Sequence, residues 1–404
     1  MKVTIKPSTA VGSVCAPPSK SISHRLLICA GMSEGVSVIN SLAPSEDVFA
    51  TIDCLRAVGV SVDFDIENSR AAVKGVDFRT SAPSAPLYCR ESGSTLRFFL
   101  PAMLLSGKEV TLSGAPSLMR RPMSVYSEFC AKQKLTYIEN GDSITVKGVM
   151  KSGKYTVSGN ISSQFISGLL FALPLLEGDS TISIIPPIES RPYINLTISA
   201  LEEFGVIVRW KDEKTLFIKG NQSYKAHECT VEGDYSNAAF LDGFNLLGGN
   251  VNVCGLRDDS LQGDKVYSRY YDLLKIGSPA LHIGDCPDLG PVLFALAAAG
   301  FGGVFSGTRR LKIKESDRVA AMAQELAKFG VSVRVEEDCV AIYPADFHAP
   351  TEVLYGHNDH RIVMALSLLL SRTGGTIEGA QAVEKSYPTF FSVIEKLGVE
   401  VTVS

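Results

Sequence analysis

Apolar and polar residues along this chain follow two periods that keep replacing one another. A stretch with the three-to-four spacing of an amphipathic helix runs into a glycine. β-branched residues alternating with polar ones then follow. Ile52-Asp53-Cys54-Leu55-Arg56-Ala57-Val58-Gly59-Val60-Ser61-Val62 is one copy. Leu201–Val208, Leu326–Val333 and Ile394–Val401 repeat it, with Gly205, Gly330 and Gly398 in the place of Gly59. Degenerate copies cover Phe129–Tyr137 and Tyr271–Ile283. A glycine there is the residue that ends the helix, and the run after it reads as a strand. Each copy also has an earlier, more apolar helix, starting at Ser21, Ser94, Ser163, Ser236, Asp288 and Asp359. Successive starts are separated by roughly 70 residues, with one interval of about 50, a period that fits repeated supersecondary units. The pattern predicts six units, each strand–helix–strand–helix–strand–strand, in an α/β (α+β) fold with helices laid against sheets.

Six units in 404 residues suggest two domains of three. The second set has a natural start near Val231-Glu232-Gly233-Asp234, and the N-terminal strand, Lys2 to Val14, is expected to pair within it. Leu169–Leu176 and Val363–Leu370 are the longest apolar runs. Both read as buried helix, far short of the ~20 residues of a membrane span. The first residues, Met1 to Lys6, alternate like a strand and lack the apolar core of a signal peptide.

Composition narrows the function. Thirty-nine basic and 43 acidic side chains give a net charge of −4, so no global field favours nucleic acid or anionic membrane. Nine scattered cysteines without a C-x-x-C pair predict a reducing compartment, hence a cytoplasmic protein. His357-x-x-His360 is the only close histidine pair and lacks a flanking ligand motif, so no metal is expected.

Any anion binding must therefore be local, and the helix starts supply it. Pro17-Pro18-Ser19-Lys20-Ser21-Ile22-Ser23-His24-Arg25 stiffens the approach to a helix predicted over 22–32, with Ser19 or Ser21 as its cap. Lys20 and Arg25 then flank a helix N-terminus, which already favours an anion. Gly93, between Ser92 and Ser94, lets a ligand approach backbone N–H groups. Ser162-Ser163-Gln164 supplies neutral donors, and Glu232-Gly233-Asp234-Tyr235-Ser236 suits a cap. Asp288 stands at a helix start, as a cap or as a catalytic group. Arg361 opens an almost wholly apolar helix, which points it into a site. Arg121 and Arg191 each precede a proline, a residue suited to starting a helix. Lys314, Glu315 and Arg318 are expected on one helical turn, and Lys385 closes the set. Cations gathered at helix starts oppose the macrodipole unless an anion neutralises them. Lys20, Arg25, Arg121, Lys314, Arg318, Arg361 and Lys385 suffice for two multiply charged anions, and Asp288 and Glu315 can move protons.

At these residues the chain resembles the 5-enolpyruvylshikimate-3-phosphate synthases, enolpyruvyl transferases of the shikimate pathway. The matching stretches are P-S-K-S-I-S-H-R (18–25), S-G-S-T-L-R (92–97), R-R-P-M (120–123), S-S-Q-F (162–165), S-R-P-Y (190–193), E-G-D-Y-S (232–236), C-P-D (286–288), K-E-S-D-R (314–318) and N-D-H-R (358–361). The resemblance implies a two-domain fold, each domain three βαβαββ repeats, with helix N-termini facing an interdomain cleft. With the repeat, it places domain I at 1–17 plus 232–404 and domain II at 18–231, with hinge crossings near 16–19 and 230–232. It implies transfer of enolpyruvate from phosphoenolpyruvate to the 5-hydroxyl of shikimate 3-phosphate through a tetrahedral intermediate, without cofactor or metal, in a monomer acting on small molecules. The catalytic residues would be Lys20, Asp288 and Glu315. Shikimate 3-phosphate would be held by Lys20, Ser21, Arg25, Ser162, Ser163, Gln164, Ser190, Tyr193, Asp288 and Lys314. Phosphoenolpyruvate would be held by Lys20, Gly93, Arg121, Gln164, Arg318, His360, Arg361 and Lys385. Gly93 also implies sensitivity to glyphosate.

Glu91-Ser92-Gly93-Ser94 departs from the Asn-Ala-Gly-Thr of many relatives, and Thr308-Arg309-Arg310 stands where some supply an asparagine. No role is assigned to Glu91, Arg309 or Arg310. The sister enzymes acting on a UDP-aminosugar carry a cysteine in a glycine-rich loop, and Gly114–Met119 has none. A non-catalytic anion-binding protein of the same fold would lack Asp288 or Glu315, and an enzyme processing nucleic-acid ends would show a basic stripe.

Overall fold

The computed structural model describes residues 1–344 and 346–404. The chain divides into two compact units, a continuous one, Pro18–Glu232, and a split one, Met1–Pro17 with Gly233–Ser404. Each has its own apolar core.

The continuous unit carries α1 (Lys20–Gly31), α2 (Glu46–Val58), α3 (Gly93–Met103), the single turn α4 (Pro116–Met119), α5 (Ser124–Gln133), α6 (Ser163–Ala172) and α7 (Arg191–Glu203). The split unit carries α8 (Tyr235–Leu246), α9 (Tyr267–Ile276), α10 (Gly290–Leu296), α11 (Arg318–Ala327), α12 (His360–Thr373) and α13 (Phe390–Lys396). The helix-ending glycines behave as the pattern requires. Gly59, Gly205, Gly330 and Gly398 all have positive φ, a backbone state open to glycine at little cost. In the degenerate copy after α5, Lys134 takes that conformation instead, at φ 58°.

One sheet plan recurs. Lys154–Ser158 runs parallel to Ser180–Ile185, which pairs antiparallel with Thr215–Ile218 and through it with Val208–Asp212. A parallel pair needs a crossover, and α6 provides it. Among the described residues, five sheets have this four-stranded form. In the last of them the N-terminal strand Lys2–Ile5 lies between Gly375–Glu378 and Val401–Val403. The unit that opens with α8 is shortened. Among the described residues its strand Asn250–Cys254 pairs only with Val11–Cys15, because the interval of about 50 residues leaves no length for a further hairpin.

The apolar helices form the centres. α10, α12 and α8 pack on one another, and α3 packs on α6. Gly168 permits that last contact, since a Cβ there would lie 2.2 Å from both the Arg97 carbonyl oxygen and the Tyr126 hydroxyl. The run Val363–Leu370 is buried in α12, whereas Leu169–Leu176, expected as one helix, is buried across the end of α6 and the 3-10 turn Leu173–Leu175 that follows it. Among the described residues no helix is long and apolar enough to cross a membrane.

Candidate active site

In the continuous unit the anion-binding candidates sit at the starts of α1, α3, α6 and α7. α1 begins at Lys20, two residues earlier than the sequence pattern indicates, so Ser19 is the cap position and Ser21 lies inside the first turn. Lys20 Nζ is 2.9 Å from Asp47 Oδ2 in the first turn of α2, with both side chains mostly buried. Arg25 is buried and donates to Thr197 Oγ1 (2.8 Å), the Ser21 carbonyl (2.5 Å) and the Tyr193 carbonyl (3.0 Å). These acceptors are neutral, and burial pulls the guanidinium pKa down to about 10. A buried cation held by neutral groups is stabilised when an anion arrives.

A second network sets the register of α1, α2 and α3. Thr95 Oγ1 donates to Ser92 Oγ at 2.8 Å, so it accepts from Thr51, and Thr51 in turn accepts from His24 Nδ1 at 2.7 Å. Each hydroxyl has one proton to give, which fixes His24 as the Nδ1–H tautomer. Burial, with Lys20 and Arg25 nearby, holds its pKa well below the usual histidine range. The network ends at Ser92, the N-cap of α3, so it aims the Gly93 turn.

Gly93 is close-set. A Cβ there would meet Arg97 Nη1 at 2.7 Å, Arg121 Nη1 at 3.0 Å and Gln164 Oε1 at 3.5 Å. Arg97 donates to Gln164 Oε1 at 2.8 Å, and Gln164 Nε2 donates to Ser94 Oγ at 3.0 Å. Gln164 thus joins α6 to α3. Ser162 caps α6 and Ser163 opens it. Thr197 joins the Arg25 group to Ser167 of α6 at 2.7 Å. Ser190 is buried with φ 56° just before α7, and Tyr193 lies in the first turn. Arg121 is mostly buried but does not directly precede a helix, because α5 begins only at Ser124. Arg191 stacks on Trp210, 4.2 Å from the ring centroid.

The split unit gathers the second group around Asp288. This residue caps no helix. It lies in a short 3-10 turn, Pro287–Leu289, and its carboxylate is taken by three cations. Lys314 Nζ is 3.2 Å away, Arg318 Nη1 2.8 Å and Arg361 Nη2 3.1 Å. Burial alone would raise its pKa, but Arg361, Lys314 and Arg318 hold it well below the usual carboxylate range. Lys314 and Arg318 do not share a helical face as the spacing suggests. Lys314 is extended and α11 starts only at Arg318, so Asp288, not helix periodicity, brings them together.

Arg318 is 1% exposed. Besides Asp288 it donates to Glu315 Oε2 at 2.8 Å and to Asp359 Oδ2 at 2.8 Å. Asp359 is fully buried and caps α12. Burial lowers the Lys314 pKa, with Asp288 opposing that shift. Arg361 donates one bond to Asp288, yet its Nε and Nη1 have no partner among the described residues although the side chain is buried. Lys385 Nζ donates to the Asn358 carbonyl at 2.6 Å, and His360 is buried in the first turn of α12. His357 Nε2 is 2.8 Å from Glu325 Oε1.

The predicted site residues thus divide between the two units, and direct contacts join Asp288, Lys314, Glu315, Arg318 and Arg361 in the split one. Sequence reading passes over Asp47, whose place in an acidic first helical turn is ordinary. It also assigns no role to Thr197 or to Asp359 beyond a helix start. Only the contacts mark these three.

The sequence pattern described as EPSP synthase (3-phosphoshikimate 1-carboxyvinyltransferase) matches residues 5–394. A 3-phosphoshikimate 1-carboxyvinyltransferase of Clostridium kluyveri is 40% identical, covering 99% of this chain and 98% of its own. One from Clostridium perfringens is 39% identical with 98% of each covered. An Acinetobacter baumannii EPSP synthase structure superposes with a TM-score of 0.79 at 23% identity, covering 100% of this chain and 99% of its own. The enolpyruvyl transferase NikO from Streptomyces tendae has the same fold, with a TM-score of 0.79 at 14% identity over 99% and 98% of the two chains.

Proposed function

This chain belongs to the EPSP synthase family, and from that premise we propose how its own residues carry the transfer of enolpyruvate from phosphoenolpyruvate to shikimate 3-phosphate. The observation that carries the assignment is Arg361, a buried guanidinium with two donors unpaired among the described residues, beside a carboxylate ringed by cations. Such donors suit the carboxylate and phosphate of phosphoenolpyruvate. Arg318, His360, Arg361 and Lys385 of the split unit, with Lys20, Gly93, Arg121 and Gln164 of the continuous unit, hold that substrate. Lys20, Ser21, Arg25, Ser162, Ser163, Gln164, Ser190 and Tyr193, with Asp288 and Lys314, hold shikimate 3-phosphate.

In the first step the 5-hydroxyl oxygen bonds to C2 of phosphoenolpyruvate, and C3 takes a proton from Glu315. Asp288 accepts the hydroxyl hydrogen. Alone it is a weak base, because three cations stabilise its carboxylate. Substrate anions that engage Lys314, Arg318 and Arg361 relax that hold and raise its basicity. In the second step Glu315 removes a proton from the methyl carbon, the C2–O bond to phosphate breaks, the leaving phosphate takes up the proton that Asp288 received, and Lys20 neutralises its remaining charge. Electrophile and leaving group both arrive with the substrate. The reading takes the protein as a cytoplasmic monomer.

Mixing the protein with phosphoenolpyruvate and shikimate 3-phosphate should release inorganic phosphate, and omitting either should abolish it. Release with a UDP-N-acetylaminosugar but none with shikimate 3-phosphate would overturn the assignment. Gly93→Ala tests the anion seat separately. Its methyl group forces Arg97 and Arg121 aside at the distances given above. The KM for phosphoenolpyruvate should rise on the order of tenfold, about 1.4 kcal/mol, with the KM for shikimate 3-phosphate much less affected. Equal rises in both constants would show that Gly93 does not face phosphoenolpyruvate.

A further inference from the structure

We propose that Glu203, His227 and Cys229 form a binding site for one thiophilic divalent cation of the zinc class, separate from the substrate residues. Glu203 is the last residue of α7, whose opposite end carries Tyr193. Thirteen helical residues put about 20 Å between the two ends. Cys229 lies in the strand Glu228–Thr230, and His227 stands just before it. Residues two apart on an extended chain point the same way, so the imidazole and the thiol emerge together beside the end of α7.

One donor atom from each of the three lies within 4.8 Å of the other two, and His227 Nε2 is 3.2 Å from Glu203 Oε1. Around tetrahedral zinc, bonds of about 2.0–2.3 Å place neighbouring donors roughly 3.3–3.8 Å apart. Closing the triad needs a shift of about 1.5 Å at most, and the residues best able to make it are on the outside. The Glu203 and His227 side chains are 39% and 35% exposed, whereas Cys229 is 4% exposed and fixed in its strand. The edge of Phe204 against the His227 ring, 5.3 Å between centroids, already limits the imidazole.

The donor set selects the ion. Sulfur, imidazole nitrogen and one carboxylate oxygen suit zinc and exclude magnesium and calcium, which want oxygen. A histidine–glutamate pair by itself needs no thiol facing it. The exposed side leaves room for water as fourth ligand. Bound metal would tie the C-terminal end of α7 to the strand that ends the continuous unit, and so stabilise that unit in proportion to occupancy.

Cobalt(II) is the probe, added to the full chain after chelator treatment. The wild-type protein should take up one equivalent, with a near-ultraviolet thiolate-to-cobalt charge-transfer band and visible bands of four-coordinate cobalt. His227→Ala and Cys229→Ser should each weaken uptake roughly 100-fold or more, and Glu203→Gln about tenfold. Cys15→Ser, at an exposed cysteine elsewhere, should leave the spectrum unchanged. Because Cys229 is buried, the half-exposed His227→Ala variant decides the matter if Cys229→Ser fails to fold. Zinc should raise the melting temperature of the wild type and leave that of His227→Ala where it is in chelator. No cobalt band in the wild type at ~100-fold molar excess, or a band that survives in His227→Ala, or one lost in Cys15→Ser, would each overturn the site.

Discussion

Glu315→Gln should lower kcat by about 10²–10⁴-fold, the range for loss of a positioned acid–base group, and leave both KM values and the melting temperature almost unchanged. The amide keeps the shape of the side chain, and its oxygen can still accept from Arg318 Nη2, which lies 2.8 Å from the carboxylate. Arg318 also keeps Asp288 and Asp359. What the amide cannot do is give a proton to C3 and take one back. Steady-state phosphate release with both substrates saturating measures the effect, and a kcat within fivefold of the wild type would remove Glu315 from the proton-transfer role. A fall in kcat accompanied by a large fall in melting temperature would point to a structural role instead.

Arg318→Ala should be the most destabilising single change in the split unit, costing about 3–5 kcal/mol, as is typical when a buried ion network loses one partner. Arg318 touches Asp288, Glu315 and Asp359 at once, and Asp359 is fully buried. Truncation leaves that carboxylate with the Ser316 hydroxyl and the α12 backbone but without its guanidinium. Urea unfolding at pH 7 measures the loss. The pH dependence is a further check. In the wild type Asp288 has a depressed pKa, so its contribution is complete above the ordinary carboxylate value of about 3.9 and is lost as pH falls through its own lower value. The variant lacks one of the three cations responsible and has less to lose. The stability gap should therefore be widest near neutrality and narrow in acid. A loss under 1 kcal/mol, or a gap independent of pH, would mean that the network contributes little.

Charge explains why such a costly arrangement persists. Arg361 gives one bond to the Asp288 carboxylate and leaves Nε and Nη1 unpaired among the described residues, and Arg25 gives its donors to neutral oxygens. Both are better stabilised with an anion than without one. A protein built to be most stable alone would have replaced them. The proposed substrates carry four anionic groups' worth of chemistry between a phosphate on each and a carboxylate on each, which matches cations distributed over both clusters.

The sequence by itself determined the repeat, the layering and the kinds of residue at the helix starts. These are local properties. A glycine with positive φ after Val58, Phe204, Phe329 or Leu397 marks a helix end whatever surrounds it, and period differences separate α from β within a dozen residues. The short interval of about 50 residues was visible, but the full strand–helix–strand–helix–strand–strand plan expected for the fourth unit was not what formed, since its strand Asn250–Cys254 pairs in a two-stranded sheet with Val11–Cys15. Tertiary structure alone decided which charges meet. Asp288 collects Lys314, Arg318 and Arg361 from 26, 30 and 73 residues away, and Lys20 meets Asp47 across 27 residues. Helix periodicity placed Lys314 and Arg318 on one turn, but the backbone at Lys314 is extended, and a shared carboxylate does what the helix does not. Glu203, His227 and Cys229 show no ligand spacing in the sequence, since a helix end and a strand supply them separately. Local periodicity encodes elements because backbone hydrogen bonding is short-ranged along the chain. Ion networks join groups near in space and far in sequence, so only the folded chain assigns a partner to each charge.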